Sequence, residues 1–136
     1  MEICTVRRVT IPMRAELAET RPTTLLIVTG DADLRAVTAR VLRAEGYDVV
    51  TAAHSGHALL ACLTRPIDIL ITELALEEAS GQNLAATLRR HQPYLRTVYF
   101  ADAGTPAADG VIVRPFTRDD LLVELHVAGA PATLAS

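Results

Sequence analysis

The chain has 136 residues, half of them hydrophobic, and a formal net charge of -3. That length gives one domain with room for a real core, and the hydrophobic share excludes a wholly disordered chain. So small a negative charge gives no electrostatic case for nucleic acid or an anionic membrane, and the two cysteines make neither a disulfide framework nor a metal spacing.

In chain order, residues 1–13 alternate loosely, with Ile3, Thr5, Arg7, Val9 and Ile11 on one side. This suits an extended arm or edge strand that Pro12 would end. The stretch lacks the apolar centre of a signal peptide, and no run approaches the roughly 18 residues of a membrane span. A reduced, cytoplasmic protein is the expectation. Residues 14–23 read as a polar linker, so 1–23 form an N-terminal arm and linker, with Met13 as an alternative start. The domain proper is expected over 24–128, and 129–136 form a small-residue tail.

Leu25-Leu26-Ile27-Val28 reads as a buried strand closed by Thr29-Gly30-Asp31. Asp31 is placed to cap a helix running to about Glu45, with Leu34, Val37, Val41 and Leu42 as its apolar stripe and Gly46 as its stop. Asp48-Val49-Val50-Thr51-Ala52 is a second strand. Ser55 opens a helix with Leu59, Leu60 and Leu63 inward, ended by Arg65-Pro66. The run Ile67, Ile69, Leu70, Ile71 is a third strand, and it ends at Thr72-Glu73, leaving a carboxylate where the strand exits the sheet. Ser80 then caps a helix carrying Leu84, Ala85 and Leu88. Val98-Tyr99-Phe100 and Val111-Ile112-Val113 are the last two strands, and Thr117 to Asp120 form a capping box for a helix through Leu121, Leu122 and Leu125. Strands alternating with helices predict α/β architecture: a doubly wound, five-stranded parallel sheet in a flavodoxin-like three-layer sandwich. Open sheets of this kind gather their chemistry at the carboxyl ends of the strands.

The ordered set Ile-Val-x-x-Asp-x-Asp-Leu-Arg (27–35), Val-Leu-Arg-x-Glu-Gly-Tyr-x-Val (41–49), the strand ending at Glu73 with Gly81 eight residues on, and Arg-Pro-Phe (114–116) resembles receiver domains of two-component response regulators. The likeness runs from about Thr24 to Leu125. It implies phosphoryl transfer from a histidine kinase to an aspartate at the end of the third strand. An acidic pair after the first strand would hold Mg²⁺, while a hydroxyl after the fourth strand and a lysine before the proline would contact the phosphoryl oxygens. Each of those positions is changed. The acidic pair falls on Thr29 and Gly30, the acceptor on Glu73, the hydroxyl on Ala101 and the lysine on Arg114. Asp31 would join the acidic pair only if the register slipped by one, against the match of Leu34, Arg35, Gly46 and Tyr47.

The resemblance therefore implies a degenerate phosphoacceptor site at Thr29, Gly30, Asp31, Glu73, Ala101 and Arg114, with no catalytic set and Mg²⁺ binding lost. Two readings of Glu73 stay open: a phosphoaspartate mimic, or a satisfied polar residue at a dead site. Arg114 either clamps Glu73 with parallel hydrogen bonds or stays unpaired. Receivers also carry a helix (the fourth of five) between the fourth and fifth strands. Here Ala101 to Gly110 gives ten residues broken by glycine and proline, so that helix is expected to be missing or reduced to one turn. The aromatic residue of the receiver switch falls on Val111. Loss of that helix would uncover Tyr99, Val111 and Val113. A homodimer covering them is expected, with the arm 1–13 as the alternative cover.

The function implied is phosphorylation-independent protein–protein interaction with a histidine kinase, an output protein or a second copy. The rivals are an active phosphoacceptor at Glu73 or Asp31, and a small-molecule sensor in the vacated pocket. His54-x-x-His57 lacks further ligands for zinc and reads as solvated helix-start histidines, His126 as a favourable contact at a helix C-terminus, and Cys62 as a small core residue.

Overall fold

A computed structural model describes residues 22–76, 80–106, 108 and 110–128. The expected arm 1–13, most of the linker and the tail 129–136 lie outside the described residues. Among the described residues there are five parallel strands: β1 (Thr24–Val28), β2 (Asp48–Ala52), β3 (Ile69–Glu73), β4 (Arg96–Ala101) and β5 (Val111–Val113). Their order across the sheet is β2-β1-β3-β4-β5. The described residues also hold four helices, alternating with the strands: α1 (Ala32–Ala44), α2 (Ser55–Thr64), α3 (Gly81–Arg89) and α4 (Arg118–Val127). The shortest is α3, with 9 residues.

The helix ends follow local chemistry. Asp31 accepts from the backbone of Asp33 and Leu34 at the start of α1. At its end Gly46, at φ 98°, lets the Tyr47 N–H reach the Leu42 carbonyl, while Gly46 N–H bonds Arg43, closing the last turn. Ser80 caps α3 and the Thr117–Asp120 capping box opens α4. Ser55 opens α2 as expected, and His54 before it is the cap, its ring accepting from His57 N–H at 3.4 Å.

Strand residues alternate between two cores. Leu25, Ile27, Ile69, Ile71, Val98, Phe100 and Ile112 pack with α1 and α4, whereas Leu26, Val28 and Leu70 pack with α2 and α3. The third strand begins two residues later than Ile67, whose N–H bonds the Gln92 side chain instead.

Two helix faces differ from expectation. On α1 the buried residues are Thr38, Ala39 and Leu42, and Val37 lies outside. On α2 the inward residues are Ala58 and Cys62, flanked by partly buried Leu59, while Leu60 and Leu63 are exposed. Leu60 stands two residues from both, about 200° round a helix. Small side chains let α2 lie close to the sheet, and that contact decides its rotation. Cys62 is a free, buried thiol whose pKa burial pushes up.

Between β4 and β5 the described residues form turns, closed by Thr105 N–H to Asp102 and Val111 N–H to Ala108. Tyr99, Val111 and Val113 are half-buried rather than fully uncovered.

Candidate functional site

The carboxyl ends of β1, β3 and β4 converge on Glu73. Thr72 stands opposite Val28, and Glu73 opposite Phe100. This register puts the residue following β1, the fully buried Thr29, beside the end of β3. The Thr29 hydroxyl donates to Glu73 Oε2 at 2.5 Å and itself accepts from Asp31 N–H at 3.1 Å. The Thr29 carbonyl accepts from Arg35 Nη1 at 2.6 Å. What the sequence marks as a vacated metal position is thus the anchor of the neighbouring carboxylate.

From the other side Arg114 donates through Nη2 to Glu73 Oε1 at 2.7 Å and through Nη1 to Asp102 Oδ1 at 2.8 Å. The guanidinium does not clamp Glu73 with both arms, as the parallel pair would require. It divides its fork between two carboxylates on different strands' ends. The Glu73 and Arg114 side chains are only 20% and 28% exposed, so their pairing is sheltered, while Asp102 stands in solvent. Burial works against the arginine's charge, yet the hydrogen bonds and charges of Glu73 and Asp102 outweigh it and raise its pKa above the ordinary value.

The loop holding Arg114 is placed by three contacts. Arg114 N–H bonds the carbonyl of Ala101, which is itself buried. Phe116 stacks on Phe100 with centroids 5.2 Å apart, and the Arg114 guanidinium lies 5.9 Å from the Phe100 ring centroid. The Arg114–Pro115 peptide is cis. Behind Glu73, α3 approaches so closely that a Cβ on Gly81 would lie 2.2 Å from the Glu73 carbonyl oxygen. Glycine there is a packing requirement.

Of the six residues singled out from the sequence, Thr29, Glu73 and Arg114 are joined in one hydrogen-bonded chain. Ala101 contributes its backbone. Gly30 and Asp31 border an open cleft of about 520 Å³ that also meets His54 and Glu73. Asp102 completes the network. It was missed because no periodicity fixes a residue inside a turn.

Mg²⁺ prefers an octahedral set of oxygens, usually including carboxylates. The donors present fit it poorly. Both Glu73 oxygens are engaged by Thr29 and Arg114, and Asp31 Oδ1 accepts from two backbone N–H groups. Among the described residues no group of three or more His, Cys, Asp or Glu is arranged to hold a metal ion, and no helix is long and apolar enough to cross a membrane.

The sequence model of the family described as response regulator receiver domain matches residues 25–126. The chain is 29% identical over 125 residues to the transcriptional regulatory protein GlrR of Escherichia coli (strain K12), covering 83% of this chain and 28% of that protein. It is 25% identical over 118 residues to the probable transcriptional regulatory protein TcrX of Mycobacterium tuberculosis, covering 80% of this chain and 50% of that protein. It therefore spans half the length of these relatives or less. Among solved structures, a putative response regulator from Chloroflexus aurantiacus superposes with a TM-score of 0.71 at 26% identity, covering 79% of this chain and 98% of that one. The chemotaxis response regulator CheY4 of Vibrio cholerae gives the same TM-score at 21% identity, covering 79% and 99%, a likeness of fold alone.

Proposed function

Because the chain belongs to the response regulator receiver domain family, we propose that it serves two-component signalling as a cytoplasmic protein-binding module that no longer accepts phosphate. The observation that carries this reading is the occupation of Glu73. Its two oxygens are already bound, by the Thr29 hydroxyl and the Arg114 guanidinium. A carboxylate so engaged is a weakened nucleophile, since each of its oxygens already shares its charge with a donor and is held in place by it. The same bonds tie together the ends of β1 and β3 and the β5–α4 loop without any phosphoryl group. The surface beside them is thereby held in one arrangement, ready for a histidine kinase, an output protein or a second copy. No enzymatic turnover is part of this reading.

The test is incubation with acetyl phosphate and Mg²⁺, followed by intact mass. The expected result is an unchanged mass of 14.6 kDa. A gain of one phosphoryl group would sink the reading in favour of an active acceptor at Glu73. Titration calorimetry on the same protein is expected to show no specific Mg²⁺ site, and a millimolar or tighter one would contradict the lost-metal half of the proposal.

The cleft beside Gly30, Asp31 and His54 supports one further reading, a small-molecule sensor. Ligand-dependent melting shifts across a metabolite panel would move the assignment to it.

A further inference from the structure

The Glu73 site lies where the strands finish. At the opposite end, where they begin, a groove of about 430 Å³ opens between the last turn of α2 and the segment joining α3 to β4. Buried Cys62, Ile67 and Leu95 form its floor. The Gln92 side chain satisfies three backbone groups there, accepting from Ile67 N–H at 2.6 Å and donating to the Cys62 and Arg65 carbonyls at 2.8 Å. The walls left to solvent include large apolar groups. Leu63 and Tyr94 are 56% and 93% exposed, and Leu60, one turn earlier on α2, continues the strip at 60%. Exposed Arg65 and His91 border them.

The chain enters its fold beside this groove. The Thr23 carbonyl accepts from Asp48 N–H at 3.0 Å, and Thr24 N–H donates to Asp68 Oδ2 at 2.8 Å. Asp68 is itself part of the groove's lining. The residues leading up to this point include Met13 and Leu17, with the carboxylates Glu16 and Glu19 among them. We propose that residues 13–20 of the chain's own N-terminal segment occupy the groove, with Met13 and Leu17 against Leu63 and Tyr94, and Glu16 and Glu19 towards Arg65 and His91. Tethering selects this occupant. Leu17 stands six residues before Thr23 and so reaches at most about 20 Å from it, and the groove begins beside Thr24. A segment on so short a tether meets the groove at an effective concentration on the order of millimolar, well above that of a second copy in micromolar solution. A contact too weak to join two molecules therefore closes within one. The match of carboxylates to Arg65 and His91 fixes which way the segment lies. The contact is independent of the Glu73 site at the other end of the sheet.

Trypsin tests this on the full chain, because Arg14 falls inside the proposed contact and is followed by alanine. Cleavage after Arg14, read by intact mass, requires the segment to leave the groove, so its rate tracks the released fraction. The double substitution Leu63→Asp and Tyr94→Asp, at exposed positions, is expected to speed that cut about fivefold with an unchanged circular dichroism spectrum. Met13→Asp with Leu17→Asp changes only the segment, and it is expected to shift the amide signals of Leu63, Tyr94 and Leu95. Equal cleavage rates in the wild type and the groove variant would overturn the proposal, as would amide shifts confined to Tyr99, Val111 and Val113. Protection that grows with protein concentration would also overturn it, because the groove would then be filled by a second copy.

Discussion

The two faces of the sheet are made from alternate residues of the same strands, yet they are finished to different degrees. On the α1–α4 side, buried side chains run unbroken from Val49 on β2 through Leu25, Ile27, Ile69, Ile71, Val98 and Phe100 to Ile112 on β5. On the α2–α3 side the buried set covers Leu26, Val28 and Leu70 but omits Tyr99, Val111 and Val113. Val111 and Val113 are as apolar as their neighbours, and Tyr99 carries an apolar ring. An apolar strand residue is buried by the helix laid over it, not by its own character, and the nine residues 102–110 between β4 and β5 are too few for a full helical crossover.

The comparison breaks most visibly at Phe100, which is fully buried and stacked on Phe116. Phe100→Ala is expected to lose about 3–5 kcal/mol of unfolding free energy in a denaturant titration. The loss also removes the ring beneath Arg114, so loosening of the β5–α4 loop should accompany it. A cost near that of a surface substitution would mean that the two faces do not differ as described.

On the α2–α3 side the covered part depends on how near α3 comes to β3. Gly81→Ala would set a methyl against the Glu73 carbonyl, and backbone there cannot swing aside as a flexible side chain could. An expected loss of about 1–3 kcal/mol follows, from overpacking. Chemical-shift changes centred on Glu73 and Leu74 should appear with it. An unperturbed spectrum and full stability would show that α3 slides freely.

How much of this was legible in the sequence depends on what fixes each feature. The strands and most caps were, because β-branched runs, Asp31, Ser80, Thr117 and Gly46 act through local backbone chemistry. Helix rotation was not. Leu60 and Leu63 are the bulkiest residues near the end of α2 and draw the eye inward, but Ala58 and Cys62 permit the closer approach and win. At the site, Glu73 and Arg114 were singled out from their strand-end positions. Thr29 was read only as a missing metal ligand, although the adjacency of β1 and β3 was the signal that places its hydroxyl on Glu73. The half-burial of Tyr99, Val111 and Val113 was likewise beyond pattern, which registers a short connection but not how far the chain shields these residues.

The Glu73–Arg114 contact sits where both faces end, and it should matter more to local order than to global stability. Arg114→Met keeps much of the side chain's length and removes its bonds to Glu73 and Asp102. The expected cost is about 1–2 kcal/mol, set by charge-assisted hydrogen bonds in a sheltered but not dry place. Hydrogen exchange should quicken in the β5–α4 loop while the α1–α4 core keeps its protection. Uniformly faster exchange would argue that the network supports the whole fold.

The smallest expected effect is the sharpest test of the unfinished face. Val113→Thr exchanges a methyl for a hydroxyl at nearly constant volume on the half-buried side of β5, where water can reach the new group. Inside the opposite core the same exchange would bury a hydroxyl without a partner. On the open face of a single copy it should change stability by no more than about 0.5 kcal/mol. If a second copy of the chain covers this face, however, the hydroxyl is desolvated on association and the substitution acts on the dimer. Wild-type unfolding should then depend on protein concentration, by mass action. The variant should match the wild type when dilute and fall behind it when concentrated. Equal curves at every concentration would mean that nothing covers Val113, and a large loss in dilute solution would mean that the chain itself already does.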